Sequence, residues 1–286
     1  MSYVVIAPAR NEADRIEHTF RSVLAQTIRP AEWIVVNDGS RDQTGVIADE
    51  YAREFDWIRV IHRKDRGYRK SGGGIVDAFY DGYLSLETKQ WSFVVKLDAD
   101  LSFSSDYFEK CFAEFTWNPR LGIGGGRIFH MAKGRLELEN GPAFHVRGAT
   151  KIYRRQCWDQ IGGLIHAPGW DTVDEVKARM LGWETMTFSH VQVLHHRFTG
   201  QDDGLWGAWI KAGRSDYICA YHPAFMLVKC LRRALQKPIV LGSFALAWGF
   251  LSGYLLRIPR IQDKGLVRYV RAQQIRKLFG RETIWK

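Results

Sequence analysis

The sequence predicts an α/β fold built on a mostly parallel, mixed sheet flanked by helices. Three observations carry this expectation. Over the first hundred residues, short apolar runs alternate with segments whose apolar residues recur at helical spacing, the rhythm of βαβ units. One such run, Phe93 to Leu97, leads straight into Asp98-Ala99-Asp100, so a buried strand ends on two carboxylates. The chain has 286 residues, 46% of them hydrophobic and 25% charged, ample for one large core or a core with an appendage.

Tyr3 to Ala7 is apolar and ended by Pro8, giving a first strand. Ile16, Phe20, Val23 and Leu24 then share one face of a helix between Glu12 and Ala25. Trp33 to Val36 is a second strand, stopped by the turn-forming residues Asn37-Asp38-Gly39-Ser40. A helix with Val46, Ile47 and Tyr51 on one face follows, then a third strand from Trp57 to Ile61. The basic, glycine-rich loop His62 to Gly74 leads into a helix from about Ile75 to Glu87. Tyr107 to Trp117 reads as a helix. Leu121 to His130 holds Gly122, Gly124, Gly125 and Gly126, which predicts a poor or bulged strand. Met131 to Pro142 reads as an excursion, Phe144 to Tyr153 as a strand, and Cys157 to Leu164 as a short helix with a glycine turn. A further helix opens at Gly169-Trp170-Asp171, runs to about Leu181 and stops at Gly182.

Formal net charge is +10, which favours a polyanionic partner: phosphates, an anionic membrane face or nucleic acid. Cys111, Cys157, Cys219 and Cys230 show no close-spaced metal or redox pairing, so free thiols in a reducing cytosolic setting are the default expectation. The N-terminus lacks a basic region followed by a long apolar core, so no secretion signal is expected.

The chemistry concentrates at the aspartate pair. Residues two apart in an extended chain point the same way, so Asp98 and Asp100 converge, at the strand end where open α/β sheets bind ligands. Convergent carboxylates repel unless a cation lies between them, and a hard divalent ion with oxygen ligands suits them; a solvated turn is the plainer alternative. The turn after the first strand reads Pro8-Ala9-Arg10-Asn11-Glu12 where a dinucleotide-binding fold needs Gly-x-Gly-x-x-Gly, which counts against a dehydrogenase. The Gly72-Gly73-Gly74 cluster lacks the order of a phosphate loop, and its basic neighbours, Arg63, Lys64, Arg66, Arg69 and Lys70, face phosphate or merely solvent.

Pro8-Ala9-Arg10-Asn11-Glu12, Val35-Val36-Asn37-Asp38-Gly39-Ser40 and Asp98-Ala99-Asp100 together, in this order and spacing, resemble the N-terminal half of family 2 glycosyltransferases with the GT-A fold, over roughly residues 3–200. The resemblance implies that Pro8, Ala9, Glu12, Asp38 and Asp98 hold the nucleotide base and ribose and that Asp100 holds a Mg²⁺ or Mn²⁺ ion. Arg10, inside the first motif, and Arg69, in the basic loop, join the candidate nucleotide-sugar-binding set. Asp98 and His196 join Asp100 in the candidate metal set. The triplet His195-His196-Arg197 sits where many relatives place a histidine or arginine near the diphosphate, and the choice between the two histidines stays open. An acceptor-only carboxylate at Asp38 suits the imide N–H of uracil or ribose hydroxyls, which favours a uridine donor and leaves guanosine open.

The family's catalytic base is an Asp roughly eleven residues before a Gly-Trp pair, and Gly182-Trp183 picks out Asp171 by count. The usual Glu-Asp doublet stands here as Trp170-Asp171, so Asp174 and Glu175 remain alternatives. By charge alone, all three acids also suit the start of a helix, where they favour its dipole. The implied activity is inverting, metal-assisted transfer of a sugar from a nucleotide-diphosphate donor, with Asp171 as general base.

Beyond Gly200 the resemblance fades. Ile239 to Leu256 holds no charged residue, at the lower limit for a span. Its glycines and serines allow close helix packing. Arg257 to Lys286 is basic with Val267, Tyr269, Val270, Ile275, Leu278 and Phe279 interleaved, which reads as an amphipathic segment on an anionic membrane surface. The expected organisation is therefore a GT-A domain over 1–205, with nucleotide-binding and acceptor halves divided near 100, and a helical membrane-associating region over 206–286. The expected location is the cytoplasmic face of the cell membrane, and the expected acceptor a glycolipid or polysaccharide. Two alternatives are a sugar-nucleotide nucleotidyltransferase, which wants a glycine-rich basic loop directly after the first strand, and a basic nucleic-acid-binding protein. The charge that collects beside an apolar helix argues against a nucleic-acid partner.

Overall fold

In the computed structural model, residues 1–67, 73–132, 134–139, 141–142, 144–197, 204–235 and 240–285 are described. The first half alternates strand and helix: β1 (Tyr3–Ala9), α1 (Ile16–Leu24), β2 (Glu32–Asn37), α2 (Thr44–Glu54), β3 (Ile58–His62), α3 (Gly73–Leu84) and β4 (Phe93–Leu97). Then follow β5 (Leu101–Phe103), α4 (Tyr107–Trp117), β6 (Leu121–Ala132), β7 (Arg135–Leu138), β8 (Thr150–Arg154), α5 (Arg155–Ile161), α6 (Trp170–Met180) and β9 (Glu184–His195). Four helices close the chain: α7 (Gly204–Ile218), α8 (Pro223–Ala234), α9 (Leu241–Leu255) and α10 (Lys264–Leu278).

The strands form one sheet in the order β3-β2-β1-β4-β8-β6-β9-β5, with β7 paired to β6. It is parallel from β3 through β4, because each crossover carries a helix. Beyond β4 it is mixed: β8 runs antiparallel to β4 and β6, while β6 and β9 are parallel. The glycine-rich run of β6 is bulged, as the sequence predicts, with register shifts at Leu121/Ile123 and Gly126/Arg127. The strand expected from Phe144 begins only at Thr150, since 144–149 turn back to deliver Gly148 to the site.

Apolar residues on the two faces of the sheet make two cores. Val5, Val35, Val95 and Phe108 belong to one, and Val4, Ile34, Val94 and Trp158 to the other. A third core lies under the C-terminal helices. It combines Val173 and Val176 of α6 with Tyr217, Leu246, Phe250, Leu266 and Val270, so these helices are packed onto the sheet domain.

Residues 257–286 divide their apolar side chains between protein and solvent. Leu266 and Val270 of α10 are buried in that third core, with Gln273 and Gln274. The amphipathic period is real: Leu266 and Val270 face protein, while Phe279 is exposed. No helix among the described residues is long and apolar enough to cross a membrane.

Candidate active site

Parallel pairing sets the strand tips side by side. Ala9 stands opposite Asn37, and Asp38 N–H donates to the Ala9 carbonyl at 2.8 Å. β4 flanks β1 on the other side. The segment Pro8–Glu12, Asp38 and Asp98 therefore share one edge of the sheet. Pro8 and Ala9 are buried within β1. Arg10 donates from Nη2 to Asp65 at 2.7 Å and from Nη1 to the Asp38 carbonyl. The buried Asp38 carboxylate is held by Arg63 at 2.5 Å and by both Nη atoms of Arg66 at 2.7 Å. Arg69 lies outside the described residues.

The two aspartates converge. A carboxylate oxygen from each of Asp98 and Asp100 and a ring nitrogen of His195 lie within 4.8 Å of one another. β5 pairs with β9 so that Leu101 stands opposite His195, which puts His195 Nε2 3.2 Å from the Asp100 carboxylate. Burial opposes ionisation of Asp100, but the His195 hydrogen bond and the charges of His195, Arg197 and Lys96 outweigh it and hold the carboxyl below its usual range. Burial pushes Asp98 up, and Asp100 adds to this against Lys96. Asp100 Oδ1 is buried and accepts no hydrogen bond, although His195 Nε2 lies 3.2 Å from it as an ion-pair partner. Two carboxylates, an imidazole and an orphaned buried oxygen fit a divalent cation.

His196, expected in the metal set, lies outside the group that Asp98, Asp100 and His195 form. Its Nε2 lies 2.6 Å from Ser102 Oγ, and its ring stacks on His18 with centroids 4.1 Å apart. Neighbouring residues at a strand end point to opposite sides, so only one histidine of the pair can face the aspartates. Glu12 borders the cluster: its Oε1 meets Arg197 at 2.5 Å. Burial, then Asp100, lift its carboxyl to about 7 against Arg197 and Arg15.

Gly148 links the aspartates to α6. Its carbonyl accepts from Lys96 Nζ at 2.6 Å, and Lys96 also pairs with Asp98. A Cβ on Gly148 would come within 3.0 Å of the Trp170 ring and 3.4 Å of Asp171 Cβ. Gly169, at φ +85°, starts α6, so the helix is not capped by Asp171, which sits in its first turn. The three acids there are in different situations. Asp174 accepts from Lys151 and from Tyr153 Oη at 2.6 Å. Glu175 accepts from Val146 N–H at 2.7 Å, faces His145 Nδ1 at 2.8 Å and pairs with Lys151 at 2.8 Å. Both are sealed from solvent. Asp171 is half-buried, and its carboxylate makes no ion pair among the described residues. Burial raises its carboxyl, but His145, Lys151 and Arg147 together bring it below the usual range.

Sequence reasoning missed Lys96 and Lys151. They stand directly opposite each other across β4 and β8, an arrangement of like charges that needs compensation. Each has its own carboxylate partners, and the Trp170 ring lies between them with both Nζ atoms 5.5 Å from its centroid. A lysine inside an otherwise apolar strand is the signal that could have found them, because a buried ammonium must be paired.

A sequence profile described as Glycosyl transferase family 2 matches residues 4–167. Among curated relatives, 4,4'-diaponeurosporenoate glycosyltransferase of Staphylococcus aureus is 32% identical over 134 residues, 46% of this chain and 33% of that protein. The uncharacterized glycosyltransferase EpsJ of Bacillus subtilis is 32% identical over 122 residues, 43% of this chain and 33% of that protein. The matched region spans about a third of the length of these relatives. The fold is shared with the mannosyltransferase PcManGT from Pyrobaculum calidifontis, solved with GDP-Man and Mn²⁺, at a TM-score of 0.55 and 16% identity, over 98% of this chain and 88% of that one. It is shared as well with TarS of S. aureus in complex with UDP-GlcNAc, at a TM-score of 0.55 and 15% identity over 96% and 81%.

Proposed function

Because this chain belongs to glycosyl transferase family 2 and has the GT-A fold, we propose that it transfers a sugar with inversion from a nucleotide-diphosphate donor to an acceptor hydroxyl. The observation that carries the proposal is the convergence of Asp98, Asp100 and His195, with an orphaned Asp100 oxygen, beside the helix that begins at Trp170. Pro8, Ala9, Arg10, Glu12 and Asp38 line the nucleotide side. Asp38 takes the uracil imide or the ribose hydroxyls, while Arg63 and Arg66 bring two guanidinium groups to the same rim. A uridine donor remains the favoured reading. Asp98, Asp100 and His195 would hold Mg²⁺ or Mn²⁺, which would supply the charge neutralisation a departing diphosphate needs.

Asp171 is the general base. Its carboxylate takes the proton of the acceptor hydroxyl as that oxygen bonds to the anomeric carbon, and the bond to the diphosphate breaks on the opposite face with its electron pair. A carboxyl held below its usual range is ionised at neutral pH and available for this. Asp174 and Glu175 instead fix the first turn of α6 through Lys151, which also holds the Asp171 carbonyl at 2.5 Å. We place the enzyme at the cytoplasmic face of the membrane, acting on a glycolipid or polysaccharide acceptor.

The test is turnover with an array of nucleotide sugars and Mn²⁺. Asp171→Asn keeps donor binding and loses transfer by about 10²–10⁴-fold, the usual range for general-base help. Near-normal transfer by Asp171→Asn overturns the assignment of the base.

A further inference from the structure

The helices after residue 204 carry two rows of large apolar side chains that nothing among the described residues covers. On α9, Leu241, Phe244, Trp248, Leu251 and Leu255 repeat at spacings of three and four, and each is more than half exposed. On α8, Leu227, Leu231 and Leu235 repeat every fourth residue and are equally exposed. The opposite face of α9 is consumed by α7. A Cβ on Gly249 would lie 2.1 Å from the Ile210 carbonyl, and one on Gly213 2.0 Å from that of Leu246. The two backbones are therefore in direct contact, and the aromatic row is what remains outside. α8 lies against α9, with Ser243 Oγ donating to the Cys230 carbonyl at 2.7 Å. Exposed rows of large apolar side chains on two adjacent helices point to an interaction site.

Charge identifies what covers it. Fifteen of the 41 Lys and Arg but only three of the 31 Asp and Glu fall within residues 206–286. That segment carries +12 against +10 for the whole chain, so residues 1–205 are slightly acidic. Exposed Arg232 and Arg257 bracket the apolar rows, and Arg232, Arg233, Lys229 and Lys277 line a cavity of about 290 Å³ floored by Trp209 and Leu246. Apolar rows within a basic surround, on helices that over their described residues are too short to span, match the interface of an anionic bilayer.

We propose that the exposed faces of α8 and α9 lie in the headgroup region of an anionic lipid leaflet and hold the enzyme flat on it. The same unit is fastened to the acceptor side of the site. Gly169 has no side chain where Ser215 and Cys219, at the end of α7, come within 2.5 and 2.6 Å of its would-be Cβ. One helix thus joins the docked α9 to the start of α6, two residues from Asp171. An acceptor hydroxyl borne on a membrane lipid arrives at the end of the site nearest its membrane. The proposal extends the membrane placement given above, and its test needs neither donor nor acceptor, so failure here leaves the transfer reading standing.

The test is co-sedimentation of the full chain with vesicles of phosphatidylcholine alone, or of phosphatidylcholine and phosphatidylglycerol in equal parts, at low and high salt. The wild type sediments with the mixed vesicles and much less with the neutral ones. Phe244→Glu with Leu251→Glu lowers its partitioning at least about a hundredfold, roughly tenfold for each side chain no longer buried. A second pair, Leu227→Gln with Leu231→Gln, lowers it in the same direction. Both pairs replace exposed residues, and unchanged melting confirms that the fold survives. Undiminished binding by both pairs overturns the docking face and leaves charge alone. A wild type that ignores both vesicles overturns the proposal. A wild type that ignores them and dimerises, in a way the Phe244 and Leu251 changes abolish, replaces the lipid with a second copy of the chain.

Discussion

Lys151→Met removes the one cation among the described residues that faces both buried acids of α6. Its Nζ lies 2.9 Å from Asp174 Oδ2 and 2.8 Å from Glu175 Oε1, and all three side chains are shielded from water. At an effective dielectric constant near 20, each contact is worth about 6 kcal/mol of Coulomb attraction before desolvation is subtracted. The net cost of stripping one partner from such a group is about 3–5 kcal/mol, because uncompensated charge stays buried. For a chain of this size that is a fall in melting temperature of roughly 6–20 °C. Asp174 can relieve part of it by protonating. Burial already lifts Asp174 to about 6 in spite of Lys151, and losing that ammonium lifts it further. A carboxyl whose folded value lies above its unfolded 3.8 destabilises increasingly as pH rises through the folded value, so the deficit of Lys151→Met is larger near pH 8 than near pH 5. Thermal melts across that range read both magnitude and slope. Adding Asp174→Asn recovers part of the loss at the alkaline end. A single variant that melts within about 2 °C of wild type, with no slope, refutes the account of the first turn of α6 and with it the reason Asp171 stays open.

Other expectations follow from the same geometry. Mn²⁺ with UDP raises the melting temperature of wild type, by about 2.7 kcal/mol of stabilisation at a hundredfold excess over Kd, and Asp100→Ala or chelation removes the increment. His195→Ala weakens Mn²⁺ binding about tenfold or more in a calorimetric titration, while His196→Ala leaves it within about twofold. Burial works against a charged His145, but Glu175 at 2.8 Å outweighs it and lifts the imidazole above its ordinary 6.5. Its contribution to stability is complete below pH 6.5 and is lost as pH rises through the folded value, so the gap in melting temperature between wild type and His145→Asn narrows on going alkaline.

The parallel half of the fold was readable because its signals are local. Four apolar runs, each followed by a helical period, leave little choice of architecture, and two aspartates one residue apart must converge at a strand tip. Position across strands was not readable. Which of His195 and His196 faces Asp100 depends on the phase of β9, and that phase is set by a bulge between Gly126 and Arg127 in the partner strand. A one-residue slip would have exchanged them. The opposition of Lys96 and Lys151 likewise exists only once β8 is known to run against β4. The Asp38 clamp was half legible: Arg63 and Arg66 stood out as basic, but both phosphate and solvent suited them equally well.

The C-terminal helices show why hydropathy alone does not say what an apolar stripe meets. An apolar stripe states that a helix avoids water, and both a bilayer and a protein core satisfy it. The stripe of α10, bordered by arginines, reads as membrane-seeking, yet Leu266 and Val270 complete a core with α6 and α7. The run from 239 to 256 has no charged face, so charge says nothing about its orientation. Its composition does carry one. Gly242, Gly249 and Gly253 fall on one side of α9 and Leu241, Phe244, Trp248 and Leu251 on the other, so residue size, rather than polarity, separates the face that meets another backbone from the face that does not. Small residues state where a helix is already occupied, and the large apolar side chains opposite them are the ones still in need of a partner.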